Sequence, residues 1–146
     1  MKSIAAVALG VLVALAIGLL VVFGIFAPVF TRFLGMEIAT STAVPTAMLV
    51  FAAAFSFYFG GMAASYRAPS RRRLHGAVVA PAAFVVSPAI NLATGHGVFP
   101  GVESAVTAAL VAATLAVSVA AAYVGARRGE ALSAYSKRAS QRRAPP

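Results

Sequence analysis

Long runs without a charged side chain divide this sequence into four segments of similar length. Residues 3–31, 38–66 and 74–102 are each runs of 29 residues that contain no Asp, Glu, Lys or Arg, and residues 104–126 are a fourth run of 23. A helix needs about 20 apolar residues to cross the hydrocarbon core of a bilayer. These runs are apolar on every helical face, which is typical of a membrane span rather than of a surface helix. The pattern therefore predicts four transmembrane helices.

The predicted fold class is an all-α integral membrane protein with one transmembrane domain over residues 1–126. Its spans are expected at about residues 4–30, 43–65, 74–94 and 102–125. Residues 127–146 are predicted to form a basic cytoplasmic tail that is partly disordered. The first span could instead open as a secretory signal peptide, but its apolar run continues well past the 7–15 residues of a signal core. An uncleaved first span is therefore favoured.

Four arginines between the second and third predicted spans, Arg67, Arg71, Arg72 and Arg73, set the expected orientation. An arginine at mid-depth costs about 2.5–3.5 kcal/mol on insertion scales, so this loop must lie outside the hydrocarbon. The positive-inside rule places it, and with four spans also both termini, in the cytoplasm. Every Lys and Arg except Arg32 then lies on the cytoplasmic side.

This distribution explains the net charge of +9 without a nucleic-acid partner. The loop arginines, together with Arg127 and Arg128 at the start of the tail, are instead expected to face the anionic lipid headgroups of a plasma membrane. Heavy use of Ala, Val and Arg is typical of a bacterial genome rich in G and C, so we expect the bacterial inner membrane.

The side chains that support catalysis or metal binding are scarce, so neither an enzyme nor a cofactor or metal site is expected. The chain contains no Cys and no Asp. His75 and His96 fall on opposite sides of the predicted bilayer, separated by about 30 Å of hydrocarbon. Glu37 and Glu103 lie near His96 and Ser104 on the outer side, but no nucleophile elbow accompanies them.

Small residues recur at a spacing of four, which places them on one helical face and allows two backbones to approach closely. The predicted packing positions are Gly10, Ala14 and Gly18 in the first span, Gly60 and Gly61 in the second, and Ala108, Ala112, Ala116 and Ala120 in the fourth. Two interpretations remain open for these positions. They pack the four helices of one chain together, or they dock against another subunit.

The third span has a polar outer part around Pro88. Ser87, Asn91 and Thr94 either bond neighbouring helices and carbonyls freed by the proline, or line a small polar cavity near the outer leaflet.

The segment Gly60-Gly61, the arginine-rich loop and Leu74-His75-Gly76 resembles small four-span bacterial membrane proteins of unknown function. The resemblance covers about residues 59–76 and the number of spans. It implies four helices in the plasma membrane and no established activity.

Two function classes follow from these patterns. The first is a structural or accessory membrane protein that packs against itself, as a homo-oligomer, or against a larger membrane complex. The alternative is a small transporter or channel subunit with its polar cavity near Asn91.

Overall fold

The computed structural model describes residues 2–34, 43–93 and 104–143, and nearly all of these residues are helical. We number five helices along them: α1 (Lys2–Val21), α2 (Ala43–Arg67), α3 (Arg72–Ala77), α4 (Val79–Ala93) and α5 (Ala105–Arg143). The all-helical class predicted from the apolar runs is confirmed. Within the described ranges, three helical stretches are long and apolar enough to cross a membrane: Lys2–Arg32, Ala43–Arg67 and Ala105–Arg142.

The first predicted span is helical to Leu34, but its second half is not regular α-helix. After α1 the chain forms a π-helical segment at Val22–Phe26, an α-helical turn at Ala27–Val29 and a second π-helical segment at Phe30–Leu34. Pro28 lies in the turn between them and has no N–H to donate to the preceding turn. A π-helical turn beside a proline is a known way for a helix to accommodate such a missing hydrogen bond.

The predicted third span is interrupted, which explains why it is not among the three long apolar helices. Val78 separates α3 from α4, and Pro81 follows three residues later. A proline at this position cannot donate to the carbonyl of Ala77 and clashes with it, so a regular helix is disfavoured across the junction. The amide of Ala82 nevertheless bonds the Val78 carbonyl at 2.9 Å, so the two helices follow one another closely.

The fourth predicted span continues without a break into what was predicted to be a separate, partly disordered tail. Ser104 caps the start of α5, where its Oγ accepts a hydrogen bond from the Thr107 amide at 3.2 Å. The helix then runs 39 residues to Arg143. The helix passes through residue 127, where the tail was predicted to begin, and Arg127–Arg143 are part of it.

Helix α2 lies at the centre of the bundle, with α5 packed on one side and α1 on another. The core consists mainly of small side chains, and among the described residues Val79 is the largest that is fully buried. Large apolar side chains instead point outward, including Leu12, Phe23 and Phe51. A compact interior with a large apolar exterior is the arrangement expected of helices that pack by close backbone approach in lipid.

Candidate functional site

The closest helix contacts in the described structure converge where α2, α3 and α5 meet, near the arginine-rich loop. A Cβ atom built on Gly61 would overlap the backbone of Ala122, and one built on Gly76 would overlap Ala126 and the Gly61 carbonyl. Ala122 and Ala126 are fully buried. These residues bring three helix backbones into direct contact, and we call this region the three-helix junction.

Two further glycines extend the junction along α5. A Cβ on Gly125 would meet the backbone carbonyl of Tyr58, and one on Gly129 would meet the carbonyl of Met62. Gly125 and Gly129 are four residues apart, so they share a helical face, as do Tyr58 and Met62. This pair was not among the predicted packing positions, although its Gly-x-x-x-Gly spacing is visible in the sequence.

Two of the buried serines, Ser65 on α2 and Ser118 on α5, differ in their hydrogen-bond partners. Ser65 Oγ donates a hydrogen bond to the Ala126 carbonyl at 2.7 Å, which joins α2 to α5. Ser118 is fully buried on α5, and within the described residues its Oγ has no hydrogen-bond partner. The face of α5 that packs in the chain therefore includes Ser118, Ala122, Gly125 and Gly129.

The small residues predicted on the first two spans form the second close contact, between α1 and α2. A Cβ on Gly10 would lie 2.8 Å from the Gly60 carbonyl, and one on Gly60 would lie 2.6 Å from the Gly10 carbonyl. Ala14 is buried beside Gly60, and Gly18 is half-buried opposite Ser56. The structure therefore brings Gly10, Ala14 and Gly60 together, and places Gly61 separately at the three-helix junction.

The predicted alanine stripe of the fourth span does not pack against the described parts of the chain. Ala108, Ala112, Ala116 and Ala120 are all exposed. The interpretation that these residues join helices of one chain is corrected, because Ser118, Ala122 and Gly125 occupy the packed face instead. A helix that is apolar all round gives little indication of which face turns inward, so composition alone could not distinguish the two stripes.

An ion pair connects Arg73, at the start of α3, to Glu130 in the second half of α5. Arg73 Nε donates a hydrogen bond to Glu130 Oε2 at 2.5 Å. The Glu130 carboxylate raises the pKa of the Arg73 guanidinium, first through this hydrogen bond and then through its charge. Beside the pair lies an open groove of about 700 Å³, whose lining includes Tyr58, Arg127 and Arg128. Sequence analysis did not assign a role to Glu130, because nothing in the spacing of the two residues predicts that they meet.

The other loop arginines have different environments. Arg67 and Arg71 are exposed, and Arg71 adopts a left-handed backbone conformation with φ of 43°. Arg72 is half-buried and donates from Nε to the Ala68 carbonyl at 3.0 Å. His75 lies one helical turn beyond Arg71, with its Nδ1 3.1 Å from the Arg71 carbonyl. The backbone carbonyls of Ala68 and Arg71 thus contact the side chains of Arg72 and His75 at the start of α3.

The predicted polar cavity is not shown by the described structure. Thr94 lies outside the described residues, as do the side chains of Ser87 and Asn91, although the backbone of the latter two belongs to α4. Over residues 2–34, 43–93 and 104–143, no group of three or more His, Asp or Glu side chains could hold a metal ion.

No protein-family model matches the chain, and neither a curated protein nor a solved structure shows significant similarity to it. The resemblance around Gly60-Gly61 and His75-Gly76 therefore stays a prediction, and function must be inferred from the packing and the charge distribution.

Proposed function

We propose that the protein is a multi-pass protein of a bacterial plasma membrane, with four spans, both termini in the cytoplasm, and a structural or accessory role. In this proposal α3 and α4 together form the third span, interrupted at Val78. The basic residues at the Arg73 end of the bundle face anionic headgroups on the cytoplasmic side. The exposed face of α5 packs against a second copy of the chain or against a larger membrane complex.

The observation that carries this proposal is the exposed alanine stripe of α5. Ala108, Ala112, Ala116 and Ala120 extend over twelve residues, or about 18 Å of helix. Their side chains are small enough for another helix backbone to approach closely. Because these four side chains are exposed, this stripe offers a surface for a helix from outside the chain.

Disulfide crosslinking tests the proposal directly, because the natural chain contains no cysteine. Ala116→Cys introduces a single thiol on the stripe. Val117→Cys is the matched control: it is also exposed, but it lies about 100° further around the helix. We expect oxidation of native membranes to crosslink the Ala116→Cys variant to a second copy or to a larger partner, and to leave the Val117→Cys variant mostly uncrosslinked.

A second measurement separates self-association from a heterologous complex. The natural chain, purified in mild detergent, is compared with an Ala112→Leu/Ala116→Leu variant by native mass spectrometry. We expect an assembly larger than one chain that is lost in the double variant, while the variant chain itself remains folded. Equal crosslinking at residues 116 and 117, together with a monomer in both preparations, would contradict the proposed packing role.

A further inference from the structure

An apolar groove lies along the side of the bundle, between α1 and the α3–α4 pair. Its volume is about 740 Å³. The walls consist of Val7, Val11 and Leu15 from α1, with Val78, Ala82 and Val86 from the other side. Ser3 and His75 lie at one end of the groove and are its polar lining residues. The groove therefore has one polar end and one apolar end.

The length of the groove matches one leaflet of a bilayer. Ser3 and Leu15 are twelve residues apart on a continuous helix, which corresponds to about 18 Å. Half of the hydrocarbon core is about 15 Å. A groove of this length extends from the headgroup level of one leaflet to about the bilayer centre, which is the depth reached by a single lipid acyl chain.

Basic residues adjoin the polar lining residues in the sequence. Lys2 is exposed and directly precedes Ser3. His75 is tied to the arginine-rich loop, because its Nδ1 lies 3.1 Å from the Arg71 carbonyl. The Ser3 hydroxyl can donate a hydrogen bond to an anionic oxygen, and the ammonium of the neighbouring Lys2 carries positive charge.

We propose that this groove binds one anionic phospholipid of the cytoplasmic leaflet. The acyl chain lies between α1 and α4, and the phosphate lies beside Lys2, Ser3 and His75. A transmembrane helix would fill the apolar part equally well, but it would not need a basic and hydroxyl-bearing end. The inference rests on the proposed membrane topology, because the polar end must lie at the cytoplasmic surface.

Photolabelling in reconstituted vesicles tests the site. The probe is phosphatidylglycerol with a photoreactive group in its acyl chain, and the comparison lipid is phosphatidylcholine with the same group. We expect phosphatidylglycerol to label residues 3–15 and 74–86 about tenfold more than phosphatidylcholine does, which corresponds to about 1.4 kcal/mol.

Two variants make the test specific to the groove. Ala8→Phe adds a ring to an exposed residue of the groove lining, and Ala16→Phe adds the same ring to an exposed residue of α1 outside the lining. We expect Ala8→Phe to remove the labelling and Ala16→Phe to preserve it. Lys2→Gln/Ser3→Ala is expected to reduce the preference for phosphatidylglycerol without removing labelling by either lipid.

Two results would overturn the proposal while leaving the membrane topology intact. The first is equal labelling by the two lipids in the natural chain. The second is absence of groove labelling in a chain that alkaline carbonate does not extract from the membrane. A chain that carbonate does extract would contradict the proposed function as well as the lipid site.

Discussion

The hydroxyl of Ser65 on α2 donates a hydrogen bond to the backbone carbonyl of Ala126 on α5, 61 residues away in the sequence. The bond is buried beside glycines and alanines that allow the two backbones to approach. It therefore couples the end of α2 to the part of α5 where the arginines begin.

Ser65→Ala should destabilise the bundle modestly, because it removes this interhelical bond. Hydrogen bonds between membrane helices contribute on average about 0.6 kcal/mol, and we expect a loss of about that size in thermal unfolding in detergent. Ser118→Ala is the matched control. Its buried hydroxyl has no partner among the described residues, so its removal should leave stability unchanged or raise it. A larger loss at Ser118 than at Ser65 would contradict the hydrogen-bond assignment.

Gly125→Ala should separate α5 from α2, because its methyl group would overlap the Tyr58 carbonyl, which is backbone and cannot rotate away. Overpacking of a tight core costs about 1–3 kcal/mol, and the unfolding temperature in detergent measures it. Gly24→Ala serves as the control, since its Cβ would meet only the Leu20 side chain at an ordinary 3.4 Å. If both variants unfold at the same temperature as the natural chain, the three-helix junction is not the close contact described above.

The Arg73–Glu130 pair should stabilise the junction of α3 with α5 in a salt-dependent manner, because both side chains are partly open to solvent. Arg73→Gln and Glu130→Gln should each lower the unfolding temperature slightly at low salt, and the double variant should lose no more than either single one. Additive effects would show that the two side chains act independently.

The raised pKa of Arg73 also predicts how this pair responds to pH. A cationic group whose pKa is higher in the folded chain contributes stability below its unfolded pKa and loses that contribution only as the pH rises through the folded value, which for an arginine lies in the strongly alkaline range. The contribution of Arg73 should therefore be constant from neutral pH to mildly alkaline pH. An Arg73-dependent loss of stability between pH 7 and pH 10 would contradict this assignment.

The proposed topology predicts that a reporter fused after Pro146 and a tag inserted at Ser70–Arg72 both lie in the cytoplasm. Each should resist labelling by a membrane-impermeant reagent in intact cells and become labelled after permeabilisation. Neutralising Arg67, Arg71, Arg72 and Arg73 together should produce chains of both orientations, because these charges dominate the asymmetry. Labelling of either site from outside intact cells would contradict four spans with cytoplasmic termini.

The sequence predicts α2 closely, since 43–65 was expected and Ala43–Arg67 is observed. Glu37 and Arg67 are the charged residues on either side of this uncharged run, and Arg67 is also the last residue of α2. The interruption at Val78 was not predicted, because the apolar run of residues 74–102 contains no charge that would mark a break there. The packed face of α5 was also missed, because nearly every face of that helix offers alanine or valine. Contacts between distant residues, such as Arg73 with Glu130, depend on how the helices align and are not encoded in local spacing.

The unbroken length of α5 has a mechanical consequence. At 1.5 Å per residue its 39 residues extend about 58 Å, nearly twice the roughly 30 Å of a hydrocarbon core. The second half of α5 is held against α2 as far as Gly129, which meets the Met62 backbone, and Arg143 lies 14 residues, or about 21 Å, beyond that contact. The end of α5 is therefore a stiff arm that keeps Lys137, Arg138, Arg142 and Arg143 at a set distance from the helix bundle.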